Sequence, residues 1–292
     1  MTTKVLLNGL LVEPADAKIS VFDRGFLYGD SVYEVVRTYD GRPFALGPHL
    51  QRLAWSALRI GMSLPVPEQT LRAEVEQCLA AAGNPESYIR IVVTRGAGEI
   101  GLDPALAVDP VRLVLVRSLP TQDPRLYEDG AKVALVLPMR EPSEPTPDGS
   151  PKTGNYLPNV LAVGEAKRRG AYEALLVDRE GHVLEGASSN VFVVRGGGLS
   201  TPPLSEGILE GITRKHVLAI ARGLAIATTE VPLRPDDLRG ADEVFITSTV
   251  REIVPVTDVD GARIADGHPG PVTRKITAAF RAHARAEALA GS

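Results

Sequence analysis

Apolar positions recur at two different spacings along the chain, in short blocks that alternate from end to end. Residues 4–12 are apolar on both sides of Asn8-Gly9. This predicts a hairpin, because Asn-Gly suits the left-handed conformations of a two-residue turn. Residues 31–39 alternate and are rich in β-branched side chains, so they predict a strand, turned by Asp40-Gly41. Pro48 suits the first turn of a helix running to about Ile60. Leu50, Leu53, Ala54, Ala57 and Leu58 form its expected core stripe. His49 and Arg52 stand at its beginning, and Trp55 reads as core. A second helix is expected over residues 68–82, stopped by Gly83, then strands over 88–94 and 111–117.

The second half mixes the same two periods. Strands are expected at 131–138, 173–178, 190–194 and 243–247, and helices at 160–170, 212–223 and 271–290. Lys167, Arg168 and Arg169 close the first of these helices, where cations favour the helix dipole. Residues 119–125 are polar, carry Pro120 and Pro124, and break the periodicity. They suggest a domain of residues 1–118, a linker over 119–128 and a second domain over 129–292. No regular strand-helix-strand alternation is present, so each domain is expected to be α+β.

Composition narrows the function. A chain of 292 residues with 44% hydrophobic and 23% charged content is typical of a soluble globular protein with a sizeable core. A net charge of −4 and a pI near 5.8 argue against nucleic-acid binding. One cysteine, Cys78, excludes an internal disulfide and fits a reducing, cytoplasmic compartment. It lies in an expected helix and reads as packing. The N-terminus lacks the apolar run of a signal peptide, and no apolar run is long enough to span a membrane. Gly96 to Gly101 spells G-x-G-x-x-G, but Leu102-Asp103-Pro104 follows where a dinucleotide site needs a helix. Nucleotide binding is therefore not expected there. His182, His216, His268 and His283 are scattered, without metal-ligand spacing.

The strongest chemical candidate is Lys152. A proline-rich segment, residues 138–151, runs into it, and a Gly-Asn-Tyr turn and an apolar helical pattern follow. A lysine among apolar neighbours tends to lose its proton, and a neutral amine attacks carbonyls. A surface lysine at a loop-helix junction is the plainer alternative. Pyridoxal phosphate would need such an amine, a carboxylate for its pyridine nitrogen, a phosphate cup and a partner for its ring hydroxyl. Candidates for all four exist. They are Lys152; Glu185, otherwise a turn residue; residues 211–214 at a helix start, with Thr247-Ser248-Thr249 at a strand end; and Tyr156.

These residues lie in motifs that resemble the class IV, branched-chain type, pyridoxal-phosphate aminotransferases. The motifs include residues 21–25, His49-Leu50-Gln51-Arg52-Leu53, Lys152-Thr153-Gly154-Asn155-Tyr156-Leu157, Glu185-Gly186-Ala187, Thr201-Pro202-Pro203, Gly211-Ile212-Thr213-Arg214 and residues 241–245. The resemblance spans nearly the whole chain and lies in the order and spacing of the set. It implies that Lys152 is the Schiff-base lysine and proton shuttle. Glu185 would sit on the pyridine nitrogen, Tyr156 at the ring hydroxyl and Leu209 against the ring face. Arg52, Ile212, Thr213, Ser248 and Thr249 would form the phosphate cup. It further implies fold type IV, with a small N-terminal α/β sandwich, a larger C-terminal pseudo-barrel and at least a homodimer.

Subgroup signals conflict. Tyr88-Ile89-Arg90, Tyr28-Gly29 and Gly101-Leu102-Asp103-Pro104 resemble the branched-chain enzymes. There Tyr88 would help hold the α-carboxylate and Arg90 the distal carboxylate of glutamate. Residues 32–36, Val93-Thr94-Arg95-Gly96, residues 171–174 and Ser188-Ser189-Asn190 resemble the D-amino acid aminotransferases. In that group Arg95 would clamp the α-carboxylate with a histidine two residues on, but Ala97 stands there. Val35 replaces the branched-chain group's usual glycine and would narrow that pocket wall. The leading expectation is transamination between an L-branched-chain amino acid and 2-oxoglutarate. A D-amino acid aminotransferase, an (R)-amine transaminase and an aminodeoxychorismate lyase remain alternatives, as does a cofactor-free binding protein on the same fold.

Overall fold

A computed structural model gives the fold and describes residues 2–137 and 148–291. Residues 138–147 of the proline-rich segment, and with them the end of the strand expected over 131–138, lie outside the described residues. The chain divides into two compact units. One comprises Met1–Pro120, Pro151–Tyr156 and Ala284–Ser292, and the other Thr121–Ser150 and Leu157–His283.

The first unit contains β1 (Lys4–Leu7), β2 (Leu10–Val12), α1 (Arg24–Tyr28), β3 (Ser31–Tyr39), β4 (Arg42–Pro43), α2 (Leu46–Arg59), α3 (Glu68–Ala82), β5 (Ser87–Thr94), β6 (Ala97–Gly98), β7 (Ala107–Val108) and β8 (Arg112–Ser118). Six strands form one antiparallel sheet in the order β2-β1-β8-β5-β3-β4. Both expected turns form, with Asn8 at φ 51° and Gly9 at 88°, and Asp40 at 51° and Gly41 at 75°. Strand period decides the faces. Ile89, Ile91 and Val93 of β5 enter the core with Val32 and Val36 of β3. Tyr88, Arg90 and Val92 therefore share the opposite face, where they stand across from Arg37, Val35 and Tyr33. Residues 96–101 lead into the small β6–β7 hairpin and a single 3-10 turn at Pro104–Leu106, so no α-helix follows that glycine motif.

Helix α2 corrects one expectation. Its core stripe is Leu46, Leu50, Leu53 and Ala57, while Ala54 is exposed and Leu58 is 73% exposed. A second row, His49, Arg52 and Ser56, is buried instead. The helix is rolled toward this polar row, and Ala54 and Leu58 on its far side are left to solvent. Trp55 is only half-buried, with Arg59 over its ring. Cys78 on α3 is buried in the core, and burial pushes its thiol up to about 11, so it is packing as expected.

The second unit contains α4 (Arg125–Glu128), β9 (Ala131–Val136), α5 (Leu157–Arg168), β10 (Glu173–Val177), β11 (Val183–Gly186), β12 (Asn190–Arg195), β13 (Gly198–Thr201), α6 (Ile212–Gly223), β14 (Thr228–Glu230), α7 (Pro235–Arg239), β15 (Glu243–Ser248), β16 (Glu252–Val259), β17 (Ala262–Arg263) and α8 (Pro271–Ala290). The last turns of α8, from Ala284, group with the first unit. The nine strands form one mixed sheet in the order β11-β10-β9-β16-β15-β12-β13-β14, with β17 on β16. Three pairings are parallel: β9 with β10, β9 with β16, and β13 with β14. Phe192 of β12 and Phe245 of β15 stack in the core with centroids 4.9 Å apart.

Strand β16 has no counterpart among the expected elements, although it lies inside the sheet. Pro255 within it lacks a donor and argues against a central strand. The ladder to β9 begins one residue later, at Val256 opposite Ala131, so Pro255 falls outside it. Among the described residues, no helix is long and apolar enough to cross a membrane.

Candidate active site

The candidate residues fall into two groups, one in each unit. In the first unit the segment Pro151–Tyr156 is added to β3 like an extra strand. Thr153 bridges Val32, the Tyr33 N–H donates to the Lys152 carbonyl at 3.1 Å, and the Gly154 N–H donates to the Ser31 carbonyl at 2.7 Å. The Lys152 N–H donates to Ser56 Oγ of α2 at 3.0 Å. Gly154 is required here, because a Cβ would lie 2.1 Å from Ser31 Oγ. The lysine backbone is thus fixed from both sides.

The Lys152 amine lies 4.5 Å from the centre of the Tyr33 ring and 5.7 Å from that of Tyr156. The Arg90 guanidinium lies 4.2 Å from the Tyr33 ring centre. Tyr33 and Tyr156 meet edge to face, 5.6 Å apart. Burial, with Tyr156 beside it, pushes the Tyr33 hydroxyl far above its ordinary value, so it stays protonated. Val35 is the direct cross-strand partner of Arg90.

Arg52 comes from the polar row of α2. Its Nε and Nη2 donate to Oε1 and Oε2 of Glu34 at 2.7 and 2.8 Å. His49 Nδ1 contacts Glu34 Oε2 at 2.7 Å. Glu34 is fully buried. Burial alone would raise its carboxyl, but the charge and hydrogen bonds of Arg52 bring it down to about 2. Burial holds His49 below its ordinary value, so the imidazole is neutral and Nδ1–H is the donor to the carboxylate. Its Nε2 is buried without a hydrogen-bond partner.

The remaining substrate candidates in this unit make contacts of their own. Tyr88 lies beneath Arg117, two positions from Arg90 on the same face. The Tyr28 hydroxyl accepts from the Gly101 N–H at 3.2 Å, which ties α1 to the 101–102 loop. Arg95 is committed elsewhere. Its Nε donates to Asp30 at 2.7 Å, and its Nη1 and Nη2 donate to the Gly61 and Ile60 carbonyls at 2.9 and 2.8 Å, just past the end of α2. Asp30 is held below its ordinary value because Arg95 and Arg24 outweigh the effect of burial.

In the second unit Glu185 stands half-buried on β11. Its Oε2 accepts from Asn190 Nδ2 at 3.2 Å and from the Leu209 N–H at 3.1 Å. Gly211 is the residue before α6, and Ile212 and Thr213 form the first turn, both buried. A helix start offers unpaired N–H groups and a positive dipole end to an anion. Arg214 of the same motif is turned away and holds the Pro202 carbonyl and Glu230. Ser248 ends β15, with Thr249 after it, and the Ser248 hydroxyl accepts from Arg251 Nε at 3.0 Å. Arg251 is ion-paired with buried Glu173.

Glu34, Tyr33, His49, Ser56 and Asn190 were not singled out as site residues from the sequence. Their signal was a buried polar side chain within an apolar period, and periodicity cannot tell it from an exposed one. Two of the scattered histidines, His216 and His283, meet at 3.0 Å, and His182 lies 3.2 Å from Glu206 and 3.4 Å from Asp178. Arg234 lies 3.4 Å from the other nitrogen of His182.

Comparison with known proteins gives this arrangement its family. The amino-transferase class IV family model matches residues 31–259. The chain belongs to the class IV aminotransferases. Class IV aminotransferases are pyridoxal-phosphate-dependent, and this aminotransferase has their fold type IV architecture. It is 41% identical over 278 residues, 95% of each chain, to a Methanocaldococcus jannaschii protein provisionally named a branched-chain-amino-acid aminotransferase. It is 35% identical over 279 residues, covering 95% of this chain and 96% of the relative, to a D-alanine aminotransferase of Bacillus licheniformis. The Escherichia coli branched-chain amino acid aminotransferase superposes with a TM-score of 0.92 at 31% identity. That match covers 98% of this chain and 96% of the other. A further branched-chain amino acid aminotransferase, solved with pyridoxamine 5'-phosphate, superposes with the same TM-score of 0.92 at 32% identity, over 98% of this chain and 95% of the other.

Proposed function

We propose that this class IV aminotransferase moves the amino group between an L-branched-chain amino acid and 2-oxoglutarate. The observation that carries the reading is the row on one face of the first unit's sheet. The Lys152 amine and the Arg90 guanidinium lie 4.5 and 4.2 Å from the centre of one tyrosine ring. An amine that would take the α-proton thus shares one tyrosine ring with a cation suited to a second carboxylate, which glutamate has and leucine lacks. Aromatic and aliphatic neighbours, Tyr33 and Val35, suit a branched side chain. The commitment of Arg95 to Asp30 and the α2 carbonyls weighs against its use as the D-amino acid clamp.

The residues suit the cofactor by their chemistry. An amine, a carboxylate held by two N–H donors, a guanidinium with a helix start for the phosphate, and a phenol for the ring hydroxyl supply the four functions it needs. When bound, pyridoxal phosphate supplies an aldehyde for the amine and a protonated ring that withdraws electrons. Lys152 would hold the aldehyde, and its freed amine would carry the proton between the substrate's α-carbon and the cofactor's aldehyde carbon. Glu185, held by the Asn190 and Leu209 donors, would sit on the pyridine nitrogen and favour its protonated form. Tyr156 would serve the ring hydroxyl and the Leu209 side chain the ring face. For the phosphate, Arg52, oriented by Glu34, would serve from the first unit, and the Ile212 and Thr213 N–H groups with Ser248 and Thr249 from the second. Tyr28 and Tyr88 border the substrate. We further propose a homodimer, because Val21, Phe22 and Phe26 are more than half exposed in one short stretch of the first unit. The net charge of −4 and the single buried thiol fit a cytoplasmic enzyme without a nucleic-acid partner.

Three measurements test the proposal. Borohydride should fix the cofactor on a peptide containing Lys152, and fixation on another lysine defeats the assignment. In paired half-reactions L-leucine should outpace D-alanine. Arg90→Ala should lower specificity for 2-oxoglutarate roughly tenfold to a hundredfold, the value of about 1.5 to 3 kcal/mol for a lost charge-assisted bond, and should affect leucine far less. Faster D-alanine turnover that collapses in Arg95→Ala would move this enzyme to the D-amino acid group.

A further inference from the structure

One buried amide in the second unit touches two parts of the cofactor site at once. Asn190 is the first residue of β12, 4% exposed, and stands opposite Thr247 of β15. Its Nδ2 donates to Glu185 Oε2 at 3.2 Å and to the Leu209 carbonyl at 3.0 Å. Both partners can only accept, so the amide can face them only with its nitrogen. Its Oδ1 lies against Gly211, where a Cβ would come within 1.9 Å of it. The Leu209 N–H returns to the same Glu185 oxygen at 3.1 Å. The carboxylate, the 209–211 backbone and the start of α6 are therefore tied to a single side chain.

That side chain is itself held firmly. Buried Glu173 accepts from the Ser188 N–H at 2.9 Å, and Arg251 pairs with Glu173 and donates to the Ser188 carbonyl at 3.0 Å. The turn that delivers Asn190 is thus braced by a buried ion pair. An amide suits the position better than its isosteres. Aspartate would set a second carboxylate against Glu185 and against a carbonyl, and like charges in low dielectric raise a carboxyl pKa. Alanine would leave the Leu209 carbonyl and Glu185 Oε2 each short of a donor.

We propose that Asn190 is a positioning residue that sets the spacing between the carboxylate serving the pyridine nitrogen and the helix start serving the phosphate. Gly211 is glycine because the Asn190 amide occupies the space of its side chain. The inference rests on the role given to Glu185 above. Asn190 acts through Glu185 and α6, and it touches neither the reacting carbon nor the migrating proton.

The test compares wild type, Asn190→Ala, Asn190→Asp and Gly211→Ala. The readouts are the apoprotein's Kd for pyridoxal 5'-phosphate, the pH midpoint of the bound cofactor's visible band, and the melting temperature of the apoprotein. Asn190→Ala should weaken cofactor binding about tenfold to a hundredfold, the cost of loosening a charge-assisted contact. Its band midpoint should move to higher pH, because a misplaced carboxylate holds the ring proton less well and the nitrogen joining Lys152 to the cofactor, which the band reports, then becomes more basic. Asn190→Asp should move the midpoint further the same way, by drawing Glu185 toward its neutral form. Gly211→Ala should reproduce the Asn190→Ala shift although it adds only a methyl group. A lower melting temperature with unchanged Kd and midpoint would make Asn190 merely structural and overturn the inference. If wild type itself fails to take cofactor on Lys152 under borohydride, the proposed function falls. If wild type takes it and the variants match its spectrum, only this inference falls.

Discussion

Removing the charge of Glu34 should cost stability in a way that depends on pH with a defined sign. Glu34 is fully buried, gripped at both oxygens by Arg52 and at one by His49. Burial alone would raise its carboxyl from 4.5, yet Arg52 brings it to about 2. That difference is worth about 3 kcal/mol, at about 1.4 kcal/mol per tenfold. A carboxyl lowered by folding stabilises the protein above its unfolded value and loses that contribution as pH falls. The Glu34 contribution is therefore complete above 4.5 and vanishes as pH falls toward about 2. His49 acts in the same direction. Its folded value lies below the ordinary 6.5, so the unfolded chain takes that proton first and acid favours unfolding. Breaking a buried ion pair on one side costs about 3 to 5 kcal/mol, here by taking from Arg52 the carboxylate that grips it at two nitrogens. The assay is urea unfolding of apoprotein at constant ionic strength, wild type against Glu34→Gln, from about pH 7 down to about pH 3. Near neutrality the variant should be less stable by about 3 kcal/mol or more, and the gap should narrow in acid. Equal stability at neutral pH, or a gap that does not change with acid, would refute the reasoning.

Three further outcomes follow from the packing. Leu53→Ala should cost about 2 to 5 kcal/mol by leaving a cavity in the core of the first unit, whereas Leu58→Ala, at a 73% exposed position, should change stability by less than about 0.5 kcal/mol; similar losses in chemical melts would contradict the roll of α2. Gly154→Ala should displace the Lys152 segment from β3, since its Cβ would meet Ser31 Oγ at 2.1 Å. Borohydride labelling of Lys152 should slow, while Gly164→Ala on α5, where a Cβ would meet Arg168 Nη1 at an unstrained 3.9 Å, should raise stability by about 0.5 to 1 kcal/mol. Arg95→Ala should lower stability by about 1.5 to 3 kcal/mol through the lost Asp30 ion pair and stranded carbonyls, with the ratio of L-leucine to D-alanine rates unchanged.

Much of the architecture was legible in the sequence because local chemistry and tertiary demand agree there. Asn8-Gly9 and Asp40-Gly41 turn as their residue types require. α3, α6 and α8 have the bounds expected from period and end signals. The G-x-G-x-x-G stretch was separable from a nucleotide loop because proline follows it, and the chain there forms a hairpin. Lys152, Tyr156, Glu185 and the 211–214 turn could be named because their residue types and order match one chemistry.

Other features depended on partners distant in the chain. Strand β16 was concealed by Pro255, whose missing donor does no harm only because β9 starts pairing one residue later. The stripe on α2 differs from the expected one because a helical period gives an arc but not its rotation, and the rotation is set by Glu34, eighteen residues from Arg52. Nothing local distinguishes Arg90 from Arg95, since both are arginines on or just after one strand. Strand period puts Arg90 on the open face beside Tyr33, while Asp30 and the end of α2 take the donors of Arg95. The sequence determined which groups are present and what each can do. Which of them are buried, paired and aimed at one another was decided only by the tertiary structure, because desolvation and hydrogen-bond geometry are properties of neighbours that the chain brings together by folding.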